Sequence, residues 1–270
     1  MQQTVMELPL YQVDAFTDTV FQGNPAAVVF LEYWLPDHVL RRIANENNLS
    51  ETAFLVVRED DYELRWFTPA DEVDLCGHAT MAAAHVLFEH GNVARETLRF
   101  HTRSGVLTVS RSGPHLAMDF PASEPEAVSI PTALLAGLGV SPVNVTAGFD
   151  FIVELDSEQT VQTLKPNLGH WKHLDKRGVV VTAASSEHDF VSRCFFPGLS
   201  VNEDPVTGSA HCELAPYWAS KLDKPILTGK QLSARSGVVE CELIGDRVML
   251  KGQAVTYLIG KIYLPGGEKI

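Results

Sequence analysis

Three short motifs occur twice in the chain, in the same order and about half a chain apart. The first set is RWFTP at 65–69, CGHA at 76–79 and RSGV at 103–106; the second is RCFFP at 193–197, TGSA at 207–210 and RSGV at 235–238. The offsets are 128 residues (193 against 65), 131 (208 against 77) and 132 (235 against 103). Ordered self-similarity at a nearly constant offset is typical of a repeated structural unit. The chain is therefore predicted to contain two homologous lobes.

Each lobe has the same predicted order of secondary structure. Short runs of aromatic and β-branched residues, at 64–69 and 190–196, end at or beside a proline, as strands often do. Ala-rich helices are predicted next, over residues 78–90 and 209–221, followed by alternating segments that predict hairpins. This pattern favours an α+β fold with two pseudo-symmetric lobes, each a curved, mostly antiparallel, barrel-like sheet wrapped around a central helix.

A polar, proline-containing stretch at 121–126 marks the predicted boundary between the lobes. The N-terminal lobe is predicted over residues 1–120 and the C-terminal lobe over residues 121–261. The C-terminal segment, about residues 262–270, is expected to pack back onto the N-terminal lobe. We expect the active site in the cleft between the two lobes.

The composition limits the partners and the location of the chain. It has 21 Lys and Arg against 34 Asp and Glu, a formal net charge of -13, and no basic cluster, so nucleic acid is not an expected partner. The longest largely apolar stretch, residues 79–88, is far shorter than the ~20 residues that span a bilayer. The N-terminus has no signal-peptide pattern, so we expect a cytoplasmic protein without a membrane segment.

No sequence motif points to a metal or an organic cofactor. The cysteines, at 76, 194, 212 and 241, lack the CxxC spacing of zinc and redox sites. His85, His170 and His173 have no carboxylate or thiol that completes a metal-binding set. The nucleophile-elbow, P-loop and GxGxxG motifs are absent from the sequence. We therefore expect neither a metal nor a cofactor.

Gly77 and Gly208 begin the two predicted helices. The first turn of a helix carries unpaired N–H groups and the positive end of the helix dipole, so it favours an anion. If a pseudo-twofold axis relates the lobes, both helix starts face one pocket. The simplest ligand for such a pocket is a small carboxylate.

Glu51 begins an apolar run that is itself a predicted strand, ETAFLVV at 51–57. Burying a carboxylate there is costly unless it is hydrogen-bonded, and burial favours the protonated form, which suits proton transfer. Glu51 is therefore the first candidate for a catalytic base. The same local sequence is compatible with a solvated strand-end residue or with a cap formed together with Ser50.

His78 lies in the first turn of the first predicted helix. The helix dipole at that end is expected to lower the pKa of His78 and to favour the neutral imidazole. A neutral imidazole there can donate to a substrate oxygen or relay a proton. An ordinary helix-cap histidine explains the sequence equally well.

Two acids precede the second helix start, and hydroxyl groups surround it. Glu203 and Asp204 come before a proline-containing turn, and Thr207 and Ser209 flank Gly208. The arrangement predicts an anion cradle whose acids orient an amine or share a proton. A plain capped turn is compatible with the same residues.

Several motifs together resemble one family. DAFT at 14–17, FQGNPAAVV at 21–29, SETAF at 50–54, RWFTP at 65–69, CGHAT at 76–80 and EDPVTGSA at 203–210 are similar to motifs of the phenazine-biosynthesis PhzF-like isomerases. The resemblance implies a fold like that of diaminopimelate epimerase. It implies that Glu51 is the acid/base and that His78 and Asp204 support it. It also implies that Gly77 and Ser209, at the helix starts, contact the substrate.

Cofactor-independent racemases of this architecture place a thiol before each helix-start glycine, so that one removes the α-proton and the other delivers one. The corresponding positions here are Cys76 and Thr207, so the second thiol is missing. Cys212 lies on the helix rather than at its start and cannot take this place. Two-thiol racemisation is therefore disfavoured.

Together these features predict an isomerase that moves a proton on a small carboxylate-bearing substrate. Glu51 would abstract and return the proton, while the helix starts, with Gly77, Thr207, Gly208 and Ser209, hold the carboxylate. Two alternatives stay open: an epimerase or racemase of a small amino or hydroxy acid, and a non-catalytic ligand-binding or interaction protein. We expect a homodimer, from the family resemblance and because exposed strand edges need covering.

Overall fold

The computed structural model describes residues 5–91 and 93–265, which divide into two compact units. The first unit consists of residues 5–118 and 253–265, and the second of residues 119–252. Of the segment expected to pack back onto the N-terminal lobe, residues 266–270 lie outside the described residues.

The first unit consists mainly of strands, with two helices. Its elements are β1 (Val5–Ala15), β2 (Asn24–Leu31), α1 (Asp37–Asn47), β3 (Glu51–Arg58), β4 (Asp61–Phe67), β5 (Glu72–Val73), α2 (Gly77–His90), β6 (Thr97–Thr102), β7 (Gly105–Ser112), β8 (His115–Pro121) at the boundary and, at the far end of the chain, β18 (Ala254–Pro265). β1 pairs antiparallel with both β2 and β18. β2 pairs parallel with β3, and β3 pairs antiparallel with β4. β4 pairs parallel with β6, and β6, β7 and β8 follow as an antiparallel series.

Helix α2 is the centre of the first unit. It is apolar on nearly every side, and residues such as Ala79, Met81 and Ala84 have no exposed surface. The helix contacts β1, β2, β3, β7 and β18, as a helix without a polar face must in order to bury its surface. The helix predicted over residues 78–90 is confirmed and begins one residue earlier, at Gly77.

The second unit has the same kind of construction. Its elements are β9 (Glu126–Ala127), α3 (Thr132–Leu138), β10 (Asn144–Ala147), β11 (Phe151–Glu154), α4 (Glu158–Thr163), α5 (Leu168–Trp171), β12 (Val179–Ala184), β13 (Phe190–Phe196), a 3-10 turn (Pro197–Leu199), β14 (Val201–Asp204), α6 (Gly208–Leu222), β15 (Ile226–Gln231), β16 (Gly237–Ile244) and β17 (Arg247–Gly252). β12 pairs antiparallel with β13, which pairs parallel with β15. β15, β16 and β17 are antiparallel and pack against α6.

Helix α6 is buried along most of its length despite Pro216 in its interior. It spans the residues predicted as helical, 209–221, with one further residue at each end. The predicted hairpin segments 238–243 and 247–251 form β16 and β17. The predicted α+β class is confirmed, although the sheet is not closed into a barrel within the described residues. None of the helices in the described residues is both long and apolar enough to cross a membrane.

Strand β18 belongs to the first unit, where it pairs with β1 along its whole length. Its register with β1 runs from Ala15 opposite Ala254 to Val5 opposite Pro265, with one irregularity beside Val13. The sequence placed the change of lobe at about residue 262, whereas the chain re-enters the first unit at Gln253. The local sequence does not reveal this return, because the pairing partner of β18 is β1, at the other end of the chain.

Candidate active site

Glu51 is the first residue of β3 and follows the end of α1. The helix ends at Asn48, which adopts a left-handed conformation (φ 50°), and Glu51 then pairs with Ala26 of β2. Its side chain is 18% exposed, so Glu51 is not a solvated strand-end residue. The carboxylate is held at the edge of the buried region, where charge is poorly screened by water.

His78 is the partner of this carboxylate. It is the second residue of α2 and is 6% exposed. Its Nε2 lies 3.1 Å from Oε2 of Glu51, but the two atoms lack the alignment of a hydrogen bond. Within the described residues, both atoms are thus buried without a hydrogen-bond partner. A donor and an acceptor in this state are available to a ligand.

Asn24 orients the imidazole from its other side. The buried Asn24 Nδ2 lies 3.3 Å from His78 Nδ1, and Ser50 Oγ donates to Asn24 Oδ1 at 3.4 Å. Because an amide nitrogen only donates, His78 Nδ1 must accept, and the proton of a neutral ring is then on Nε2, facing Glu51.

Cys76 completes the cluster in the first unit. It is the residue before α2, and its buried Sγ lies 3.5 Å from His78 Nδ1. Burial and the charge of Glu51 raise the pKa of the Cys76 thiol, so the thiol is protonated at neutral pH. One potential ligand atom from each of Glu51, Cys76 and His78 lies within 4.8 Å of the other two. The sequence showed no such metal-binding set, because the fold brings Glu51 to the other two.

The prediction that helix α2 lowers the pKa of His78 was wrong. Burial by itself lowers it, but the negative charge of the Glu51 carboxylate raises the pKa of His78 above its ordinary value, and the protonated Cys76 thiol carries no charge that could add to this. The carboxylate at 3.1 Å outweighs the fractional charge of the helix end. The contact with Asn24 opposes protonation of His78 at Nδ1, because a proton there would make both facing atoms, Asn24 Nδ2 and His78 Nδ1, hydrogen-bond donors.

The second unit has its own polar cluster, at the start of α6. Thr207 Oγ1 donates to Asp204 Oδ2 at 2.5 Å, and Thr207 N donates to Gln231 Oε1 at 2.9 Å. The fully buried Gln231 also donates from Nε2 to the carbonyl oxygen of Asp204 at 2.7 Å. Gly208 and Ser209 are the first two residues of α6. The sequence did not identify Gln231, whose position on β15 becomes informative only in the folded chain.

Glu203 is held by an ion pair with Arg193 and is not part of the cluster around Asp204. Arg193 donates to both carboxylate oxygens of Glu203, from Nε at 2.8 Å and from Nη2 at 3.0 Å. Arg65 donates to Glu72 in the same way in the first unit, at 2.7 and 2.6 Å. Arg193 lies 128 positions after Arg65, and Glu203 lies 131 positions after Glu72. This ion pair is therefore part of the repeated structure.

The two helix starts also share their backbone geometry. Cys76 and Thr207, the residues before α2 and α6, are both extended, and neither side chain caps its helix. The first N–H groups of each helix are therefore not satisfied by a capping side chain, as an anion site requires. At the second start a hydroxyl replaces the thiol, and burial raises the pKa of Cys212, further along α6, to about 12.

Comparison with known proteins identifies the family. The profile of the PhzC-PhzF family, described as phenazine biosynthesis-like protein, matches residues 13–260. An uncharacterized isomerase from Pseudomonas aeruginosa is 54% identical over 259 residues, covering 96% of this chain and 100% of the relative. One from Halalkalibacterium halodurans is 49% identical over 265 residues, with the same coverage. The crystal structure of a PhzF-family protein from Enterococcus faecalis superposes with a TM-score of 0.94 at 48% identity, covering 96% of this chain and 100% of that one.

The chain belongs to the phenazine biosynthesis-like (PhzF) family. It is an isomerase, as its relatives from Pseudomonas and Halalkalibacterium are named. The resemblance inferred from the sequence motifs is thereby confirmed.

Proposed function

We propose that this isomerase moves a proton on a small carboxylate-bearing substrate, without a cofactor, and that Glu51 is the acid/base. The observation that carries the proposal is the contact between Glu51 Oε2 and His78 Nε2, which lie 3.1 Å apart, are both buried atoms and have no hydrogen-bond partner within the described residues. A base must reach a substrate proton, and a carboxylate oxygen without a hydrogen-bond partner is free to do so.

Each residue then has a defined task. Glu51 breaks a substrate C–H bond and takes the proton, the electron pair moves into the adjacent unsaturated group, and Glu51 returns the proton to another carbon. The imidazole of His78, whose Nε2 lies 3.1 Å from Glu51 Oε2, stabilises the negative form of the carboxylate electrostatically. The N–H groups at Gly77 bind the substrate carboxylate. In the second unit, Asp204 is proposed as a further catalytic group, and Thr207, Gly208 and Ser209 as substrate contacts.

Two further proposals follow from the sequence. The four cysteines are all buried and free, which fits a reducing, cytoplasmic location. We also propose a homodimer, and light scattering at micromolar concentration should give about twice the 29.7 kDa mass of one chain. A mass near that of a single chain would contradict the dimer.

The test is solvent hydrogen exchange on a panel of small carboxylic acids. In D2O, mass spectrometry should detect deuterium incorporated by the wild type into a true substrate. Glu51→Gln should lower the rate by about 10²–10⁴-fold, since proton transfer is lost, while circular dichroism shows an intact fold. Glu7→Gln is the control, because Glu7 is exposed on β1 and pairs with Lys261 at the surface; its rate should equal that of the wild type.

Three outcomes separate the alternatives. Deuterium incorporation with retained configuration supports isomerisation, whereas inversion at the exchanging carbon indicates an epimerase or racemase. No exchange across the whole panel favours a non-catalytic binding protein. An unchanged rate in Glu51→Gln on a true substrate would exclude Glu51 as the base.

A further inference from the structure

Gln231 on β15 is a fully buried side chain that bonds to both ends of the turn before α6. Its Oε1 accepts from Thr207 N at 2.9 Å, and its Nε2 donates to the carbonyl oxygen of Asp204 at 2.7 Å. The same Nε2 lies 3.3 Å from Thr207 Oγ1, to which it also donates. Both polar atoms of the amide are therefore directed at residues 204–207, which link β14 to α6.

The partners of Gln231 fix the direction of each hydrogen bond. A backbone N–H only donates and a carbonyl oxygen only accepts, so Oε1 faces Thr207 N and Nε2 faces Asp204. Since Nε2 also donates to Thr207 Oγ1, the hydroxyl proton of Thr207 is left for Asp204 Oδ2, which accepts it at 2.5 Å. Gln231 thus orients the Thr207 hydroxyl and, through it, the Asp204 carboxylate.

Within residues 5–91 and 93–265, only two side-chain amides are fully buried, those of Asn24 and Gln231. Asn24 contacts His78 in the first unit, and Gln231 contacts Asp204 and Thr207 in the second. Burying an amide is costly unless its hydrogen bonds are made, so a buried amide with such bonds holds its partners in one geometry. In both units these partners are residues of the proposed site.

We infer that Gln231 is a positioning residue of the isomerase, which acts by holding Asp204 and Thr207 in a single arrangement. Gln231 has no exposed surface and so does not itself touch the substrate. The inference rests on the proposed function, in which Asp204 is a further catalytic group and Thr207 contacts the substrate. A displacement of about 1 Å in a catalytic site can cost 10²-fold in rate, even when the substitution lies away from the reacting atoms.

Gln231→Met tests this role in the hydrogen-exchange assay, because methionine is similar in length but has neither an N–H donor nor a strong acceptor. With an acid that the wild type exchanges, kcat should fall by about 10²-fold. KM should change less, since the N–H groups at the helix start are kept. Ser192→Ala is the matched control and should have the wild-type rate. Ser192 lies opposite Gln231 on β13, is equally buried, and its hydroxyl has no hydrogen-bond partner within the described residues.

A double-mutant cycle tests whether Gln231 acts through Thr207. Thr207→Val removes the hydroxyl that bonds to Asp204 but keeps the backbone N–H. If Gln231 and Thr207 act as one unit, the loss of rate in the combined variant should be clearly smaller than the product of the two single losses. A purely structural effect of Gln231 would instead multiply with the effect of Thr207.

Amide hydrogen exchange gives a readout that does not depend on activity. The N–H of Thr207 loses its acceptor in Gln231→Met and should exchange roughly 10-fold faster than in the wild type. It should exchange no faster in Ser192→Ala. Circular dichroism of each variant shows whether the fold is retained. If Gln231→Met does not fold, Gln231→Glu takes its place in the kinetic tests, since glutamate keeps an acceptor for Thr207 N but has no N–H to donate.

The outcomes distinguish this inference from the proposed function. An unchanged kcat in a folded Gln231 variant, or losses that multiply in the double variant, would overturn the positioning role and leave the proposed function standing. No exchange of any acid by the wild type would contradict the proposed function instead. The amide exchange of Thr207 would then decide alone, and an unchanged exchange rate in Gln231→Met would show that Gln231 does not hold the turn.

Discussion

Replacing Glu213 with glutamine should remove a large pH dependence from the stability of the protein. Glu213 lies on α6 and has no exposed surface. Its Oε1 accepts from the N–H of Phe149 at 2.6 Å, whereas Oε2 has no hydrogen-bond partner within the described residues. Asp150, also fully buried, is held nearby by Arg177 through two hydrogen bonds of 3.0 and 2.5 Å.

These surroundings favour the protonated carboxyl group. Burial, and then the negative charge of Asp150, raise the pKa of Glu213 from its ordinary 4.5 to about 8. In the unfolded chain the group ionises near its ordinary value. Between these two pH values the folded state therefore binds one proton more than the unfolded state, and the free energy of unfolding falls as the pH rises.

The magnitude follows from the shift. Roughly 3.5 pH units at 1.36 kcal/mol each give an upper limit of about 5 kcal/mol. This stability is fully present below about pH 4.5, is lost progressively as the pH rises, and is gone above about pH 8. The glutamine side chain of the Glu213→Gln variant keeps a carbonyl oxygen for the N–H of Phe149 but carries no titrating proton. This variant should thus be close to wild type at pH 5 and more stable than wild type, by up to ~4 kcal/mol, at pH 8.

The assay is urea unfolding of both proteins at each pH unit from 5 to 9. The difference between the two unfolding free energies isolates Glu213, since all other groups titrate in both proteins. Glu126→Gln removes an exposed carboxylate in the same unit and should follow the wild type at every pH. A difference between Glu213→Gln and wild type that stays constant from pH 5 to 9 would refute the protonated, buried state of Glu213.

Two further predictions concern the site and the packing. Asn24→Leu removes the donor to His78 Nδ1 and should lower the exchange rate and move its pH profile while the fold is kept; a profile identical to wild type would show that Asn24 does not position the ring. Gly137→Ala should destabilise the protein by at least ~2 kcal/mol in urea unfolding, because a Cβ there would lie 2.1 Å from the Trp171 ring nitrogen, whereas Gly139→Ala, in open space at φ +69°, should cost only about 1 kcal/mol. Equal costs at the two glycines would contradict this packing.

The sequence was informative wherever structure is decided locally or by repetition. The repeated motifs predicted a helix after Gly77 and another after Gly208, and both are present. The apolar run after Glu51 predicted β3, and the carboxylate lies at its first residue, as expected. The two helices and strand β3 could be predicted because each depends on the pattern of apolar and polar residues within its own segment.

Features that depend on distant residues could not be predicted. The direction of the His78 pKa shift is decided by Glu51, which is 27 positions away in the sequence and 3.1 Å away in the structure (78 against 51). Asn24 lies within the FQGNPAAVV motif at 21–29, but an Asn before a proline indicates a turn rather than a contact with a histidine. Gln231 and Glu213 carry no local signal, because ordinary polar residues become informative only when the fold buries them.

The pairing of β18 with β1 affects the order in which the chain folds during synthesis. Because Val5 faces Pro265, the N-terminal strand leaves the ribosome long before its partner on that edge exists. The second unit is continuous from residue 119 to 252, so every strand it needs has been made before β18 is synthesised. Domains generally fold as units during synthesis, and distant pairings form slowly. The second unit is thus expected to be complete while the first still has an open strand edge, and chaperones that protect such edges should act on the N-terminal part of the nascent chain.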